Sequence, residues 1–422
     1  MTKRLYNNFE FVGELNFTKE PFSVRKSDSG WESHEMRIII NESKTNGQFA
    51  SIKGGLNVGN GKPNLVYTSA KSVFGEDGGN LQVAWDDRLN SEIVDSVADY
   101  RKVVLDLTEN RDSLKDFYDT RRAIYNLETK TEGITDTDKE KLTELYDKAR
   151  ELSPDRHEFI HNYDLINYIR ENGILEKYKG RKFRVKGNIE KSYSKEKFYT
   201  NYAIQSIELV SDETPSKLSA QLDLYFVKGA EDTSDFKENK LITYDTYIIA
   251  RDNNAKKDVF FPHITVLNAS KLDLENTEHV DRIKFIRQFF NVKSKNVHHM
   301  VFETRVFRGA QKVELSLEDL SPLQQQSIKL GYNKLEDYAP KGGVLGASVE
   351  ETRLIKPLLQ NFNKSNDFMY GTLETEYTAD DLVYVPVVFE KKEEKVTEKP
   401  ATDVEEDLFD LDLSNDIDEL LA

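Results

Sequence analysis

The hydrophobic period of this chain changes from two to 3.6 and back again, which orders the fold as strands, helices and strands. Over residues 8–67, Phe9, Phe11, Gly13, Leu15 and Phe17 alternate with Glu10, Val12, Glu14 and Asn16. Such alternation marks a half-buried strand. Past a polar loop at residues 25–30, Met36, Ile38 and Ile40 take one face of a second strand, and Trp31, Arg37 and Ile39 take the other. Asn46-Gly47 makes a tight turn into the next strand.

Between residues 109 and 178 the period becomes helical. Leu114, Phe117, Tyr118, Arg121 and Ile124 trace one helix face, and Leu142, Leu145, Tyr146, Ala149 and Leu152 trace another. Thr135 with Asp138 predicts a capping box at the start of the second helix. Pro154 is placed to open a third helix through Phe159, Tyr163, Ile166 and Ile169, which Gly173 ends. Alternation returns at Phe183, Val185, Gly187 and Ile189 and continues to about residue 270. Further on, helices are expected at 279–290 and 349–359, and strands at 297–307 and 382–389.

Gly13 and Gly187 each sit inside a first strand, where a chain curling round a small barrel leaves no room for a side chain. The expected class is therefore α+β, with two small OB-like β-barrel modules and a helical insertion between them. Residues 1–108 form the first β module, 109–178 the insertion and 179–275 the second β module. A mixed α/β region covers 276–390, and 391–422 is a linker with a disordered acidic tail.

Charge narrows the function. The formal net charge is −16. Nine carboxylates and no cation fall in residues 403–422, leaving about −7 for the body, too acidic for a protein that wraps duplexes. A single-strand binder working by stacking and a local basic groove stays open. In the tail, Leu408, Phe409, Leu411, Leu413, Ile417, Leu420 and Leu421 interleave with the acids. That pattern suits a segment steered to a basic groove and anchored there, hence a partner-binding tail. The chain has no cysteine, no signal-peptide pattern and no apolar run of membrane-spanning length. A soluble, cytoplasmic protein is expected, with no membrane partner and no cofactor.

The candidate nucleic-acid-binding residues are Trp31, Arg37 and Lys53 in the first module, with Phe49 beside them. In the second they are Lys182, Arg184, Lys186, Lys191, Tyr193, Lys197, Tyr199 and Tyr202, with Lys195 and Phe198 in the same run. Rings offer each base a sequence-tolerant platform, and cations beside them neutralise phosphates. The competing interpretation is a solvated lysine face over core rings.

His157, Glu158 and His161 match H-E-x-x-H, which on a helix holds zinc and a general base. Asp155 and Arg156 beside it, and apolar positions on a different face, favour a surface helix that carries two histidines. A zinc-dependent hydrolase is the minority alternative to a non-enzymatic protein, and a pure interaction factor is another. The glycine-rich run at residues 53–62 is not a P-loop, since Pro63 follows Gly61-Lys62.

Barrel-like modules, an aromatic-basic face and an acidic-apolar tail together resemble single-stranded DNA-binding proteins, particularly those of bacteriophage replication. The resemblance implies barrels that hold single strands and a tail that recruits replication or recombination proteins and competes for the DNA groove. The tail here ends Leu420-Leu421-Ala422, without the closing Pro-Phe of the bacterial family.

Overall fold

The computed structural model describes residues 7–59, 61, 64–109, 114–313, 317, 320–338, 344–359 and 372–386. The first strand, Asn8–Asn16, buries Phe9, Phe11 and Leu15, as the alternation requires. It pairs antiparallel with Trp31–Ser43, which pairs in turn with Asn46–Asn57. Ser51 of the third strand lies parallel to Ala203 of Lys197–Leu209. That strand pairs with Lys182–Ser194, which returns to Asn8–Asn16 in the register Asn8 to Asn188 through Glu14 to Lys182. Five strands thus close a barrel in the order one, two, three, five, four, the Greek-key order of the OB type.

This corrects the predicted division. The stretches assigned to separate modules on either side of residue 178 contribute strands to one barrel. The intervening residues are an insertion between its third and fourth strands. Short-range alternation reveals strands but not partners, and the partners here are more than a hundred residues apart.

Both mid-strand glycines have the expected cause. A Cβ on Gly13 would come within 2.2 Å of the Asn41 carbonyl oxygen, and one on Gly187 within 1.9 Å of the Ala203 carbonyl oxygen. The register of strand five shifts between Ile204 and Ser206, directly opposite Gly187. The bulge and the glycine together make the bend.

In the insertion, helices Lys115–Glu128 and Asp136–Glu151 form on a small core of their own (Leu114, Phe117, Ile124, Leu142 and Ala149). The Thr135–Asp138 capping box is present. The third predicted helix forms only in its second half, over Tyr163, Ile166 and Ile169. Residues Arg156–Phe159 are a strand paired with Val103–Asp106, which itself lies parallel to barrel strand five. An exposed sheet edge takes this partner, and helix begins only at Asn162–Glu171. That helix and Ile174–Tyr178 plug the barrel with Leu165, Ile166, Ile169, Leu175 and Tyr178.

The strands after residue 216 make a second circuit of pairings. Lys217–Phe226 pairs with Asn8–Asn16, with His298–Val313 and, at Tyr225, with Tyr247–Asp252. Leu241–Tyr244 pairs with Thr265–Asn268, and Tyr247–Asp252 with Lys257–Pro262. Val266 lies parallel to Arg353 of Val344–Pro357, which pairs antiparallel with His298–Val313. The helix Thr277–Phe290 packs Phe289 and Phe290 against Phe302, Phe226 and Tyr244. The predicted boundary at 275 therefore cuts through one connected sheet. The predicted helix at 349–359 is a strand, consistent with β-branched Val349, Thr352 and Ile355. The predicted strand at 382–389 begins instead as a short turn, Ala379–Leu382, and residues 387–389 lie outside the described residues.

Candidate nucleic-acid interface

OB-type barrels hold oligonucleotides on strands two and three and on the loops joining strands one to two and four to five. Here strands two and three bring Trp31, Arg37 and Lys53 onto one outward face. Trp31 is 48% exposed. Its indole lies over Gly55, where an added Cβ would meet Cζ2 at 2.4 Å. One ring face is thus seated on backbone. Arg37 and Lys53 share the Glu35 carboxylate at 3.3 and 3.6 Å, so two cations face one acid. Asn162 donates to the Lys53 carbonyl at 2.8 Å, which ties the insertion's helix to this strand. Phe49 carries the Arg308 guanidinium 4.6 Å above its ring. In the loop between strands one and two, the short strand Phe22–Lys26 exposes Val24, Arg25 and Lys26.

The loop between strands four and five is a tight hairpin with Lys195 and Glu196 at positive φ. Tyr193 and Phe198 pair across it with ring centroids 5.0 Å apart. Phe198 is 40% and Tyr199 39% exposed, and Lys197 is exposed beside them. Tyr384 packs on the Tyr193 and Phe198 rings at 5.1 and 5.2 Å and donates to Asp252 at 2.8 Å. The exposed Arg251 lies next in sequence to Asp252. Sequence reading missed Gly55, Arg308 and Tyr384. Arg308 and Tyr384 come from chain far removed from the barrel strands and no local pattern marks them, while Gly55 stood out only as part of the glycine-rich run at residues 53–62, whose first residues continue strand three.

Two candidates are interior residues. Tyr202 is 5% exposed and packs on Phe9 and Phe11 at 5.3 and 4.9 Å, and burial pushes its phenol up. Lys191 is 6% exposed. Its ammonium donates to Thr200 Oγ1 at 2.7 Å, His263 Nδ1 at 2.9 Å and the Pro262 carbonyl at 3.4 Å. Neither is placed to meet a strand. Both share a strand face with the half-buried ring of Tyr193 or the exposed ring of Phe198, and where along a strand burial ends depends on tertiary packing.

Burial lowers Lys191 to about 8. Between that value and the ordinary 10.5 the unfolded chain holds a proton that the folded chain does not, so stability rises with pH across this window. Replacing Lys191 by Met should flatten the rise. The melting temperature of the native protein relative to Lys191→Met is expected to climb between pH 8 and about pH 9.5, before tyrosines titrate. Equal pH slopes for the two proteins would refute this.

The basic stripe is a charge ladder. Lys182 donates to the carbonyls of Asp212 and Thr214. Arg184 and Lys186 lie 3.5 and 3.7 Å from Glu208. Lys217 meets Glu10 at 2.6 Å. Burial alone would raise the Glu10 carboxyl, but the Lys217 bond and the Lys217, Lys186 and Arg184 charges outweigh it and hold it below its usual range. Strand four adjoins strands one and five, so this stripe is separated from the Trp31 face. It offers little surplus charge to phosphates.

The H-E-x-x-H residues do not share a helix face. His157 and Glu158 alternate along the strand Arg156–Phe159, and His161 caps the following helix, its Nδ1 accepting from Tyr163 N–H. His157 Nε2 lies 2.8 Å from the Tyr168 hydroxyl, and Glu158 pairs with Lys102 and Arg156, each at 3.1 Å. His157 and Glu158 line a cavity of about 240 Å³ with Arg121, Arg150 and Arg156, each of them paired with a carboxylate. Among the described residues no group of three metal-ligating side chains converges, and no helix is long and apolar enough to cross a membrane. The tail anchors Leu408, Phe409, Leu411, Leu413, Ile417, Leu420 and Leu421 lie outside the described residues.

No protein-family model matches the chain. No curated protein matches it either. Among solved structures it is similar to a deletion variant of the single-stranded DNA binding protein from Thermus aquaticus, at 8% identity and a TM-score of 0.24, covering 76% of this chain and 99% of that chain. The wild-type protein from the same organism aligns at 6% identity and a TM-score of 0.25, covering 72% and 87%. Scores this low add nothing to the fold argument, which stands on the strand order.

Proposed function

We propose that this chain binds single-stranded DNA by base stacking and phosphate contacts, acting by binding rather than by catalysis. The observation that carries the proposal is Trp31, half exposed with its indole against Gly55, beside Arg37 and Lys53 on the strand-two and strand-three face of an OB-ordered barrel. The loop rings Tyr193, Phe198 and Tyr199, with Lys197, stand on the strand-four to strand-five hairpin, the loop with which OB-type barrels also hold oligonucleotides. The second circuit of pairings repeats the first in order, with a helix between its third and fourth strands, and supports reading it as a second OB-type barrel. Acid interleaved with apolar anchors in the tail supports recruitment of replication or recombination proteins, in the cytoplasm where such DNA is handled, as in the bacteriophage-type proteins the sequence resembles.

The test is an anisotropy titration with labelled oligo-dT at two salt concentrations, on the full chain and on one ending before Asp403. Binding should weaken as salt rises, with a slope of roughly −0.7 per phosphate neutralised. Removing the tail's nine carboxylates should strengthen it, most at low salt. Absence of binding by both proteins would end the proposal.

A further inference from the structure

The two circuits differ in what covers their outward faces. On the first barrel, the outward face of strands two and three exposes Trp31 and Lys53. On the second, the corresponding outward side chains Tyr247, Ile249 and Phe260 join Tyr225 in a packed cluster closed by Leu382, Val297 and Tyr377. Leu382 is 3% exposed. The Phe260 and Tyr377 rings meet edge to face at 4.9 Å.

Backbone bonds hold the covering segment in place. Leu373 pairs with His299 at the end of the fourth strand. Val297 N–H donates to the Tyr377 carbonyl at 3.0 Å, and Thr375 N–H donates to the Val297 carbonyl at 2.9 Å. The segment then passes the Lys257–Pro262 strand. Tyr384 reaches the opposite face, meeting Phe261 at 5.1 Å and Asp252 by its hydroxyl. Rings that would otherwise offer stacking surface are spent on the chain's own residues 373–384.

We infer that residues 373–384 act as a built-in occupant of the second barrel. They close its oligonucleotide face, so a single strand follows the first barrel alone. The inference rests on the single-strand-binding reading above and assigns the two barrels different tasks. The first contacts nucleotides. The second carries the covering segment, whose Tyr384 buttresses the Tyr193–Phe198 platform of the first.

Amide hydrogen exchange on the full native chain, with and without a dT oligomer of about 60 nucleotides, tests this without any variant. A strand that long can wrap several OB-sized sites, each of roughly 4–16 nucleotides. The expected result is slowed exchange, tenfold or more, in the loop at residues 22–31 and the hairpin tip at 194–197. Exchange in Tyr247–Asp252 and residues 373–382 should change less than twofold. Slowing in Tyr247–Asp252, or faster exchange in 373–382 as the segment is displaced, would overturn the inference while leaving single-strand binding intact. No binding of the oligomer at all would instead overturn the functional proposal on which it rests.

Discussion

Replacing Trp31 by Ala should weaken oligo-dT binding roughly 5- to 150-fold, the loss of about 1–3 kcal/mol that one stacked base contributes. The melting temperature should barely move, because the ring is half exposed and lies on the sheet rather than inside it. Gly55→Val should give much of the same loss by another route. A side chain there collides with Cζ2 and Cε2 of the indole at 2.4 and 2.7 Å, lifting it off the strand, and more weakly with the Glu32 carbonyl oxygen at 2.9 Å. If Gly55 acts only by seating Trp31, the double variant will lose no more than Trp31→Ala alone. Additive losses would mean that Gly55 serves the barrel rather than the platform. Since Trp85 is the other tryptophan, a Trp85→Phe background lets the indole report directly, and dT should quench its fluorescence. An unquenched Trp31 in a chain that still binds dT would move the stacking site elsewhere, with the hairpin rings next in line.

Gly187→Ala should cost the protein about 3 kcal/mol, at the upper end of ordinary overpacking. The new methyl would sit 1.9 Å from the Ala203 carbonyl oxygen and 3.0 Å from Gln205 N. Those are backbone atoms of the bulged partner strand, so no rotamer change relieves the clash. Gly180 is the control. Its φ of +78° favours glycine, yet nothing lies within 4 Å of its Cβ position. Gly180→Ala should therefore cost only about 1 kcal/mol, for the left-handed backbone alone. Thermal unfolding followed by circular dichroism should rank the two clearly. Equal melting temperatures would show that the barrel bends without needing Gly187.

Particular residues show what the sequence could and could not reveal. The alternation at Phe9 to Leu15 and at Phe183 to Ile189 identified two barrel strands, and the crowding around Gly13 and Gly187 explained their glycines. It could not reveal that these two strands pair with each other, because period two carries no information about partners. The Thr135–Asp138 box was legible because capping is local. His157 to His161 misled for the same reason. Their helical spacing is a local pattern, and a sheet edge supplied by Val103–Asp106 overrode it. The outward placement of Trp31, Arg37 and Lys53 on one strand face was legible from strand phase. The burial of Lys191 and Tyr202 was not, because they share phase with exposed Phe198 but lie deeper along the strand. The charge ladder at Lys182, Arg184 and Lys186 depends on Glu208 and Glu10, acids contributed by other strands.

The parallel contact between Ser51 and Ala203 joins residues about 150 positions apart, and this dictates an order of events during synthesis. At the ribosome's pace of roughly 5–20 residues per second, the first three barrel strands emerge many seconds before the two that complete their cylinder. Until then the nascent chain holds an unfinished sheet with both edges bare, while the helical hairpin of the insertion, built on local contacts, is free to form early. Closure is a late, non-local step, and a chaperone that shields the first sixty residues would act where this chain is most open to aggregation.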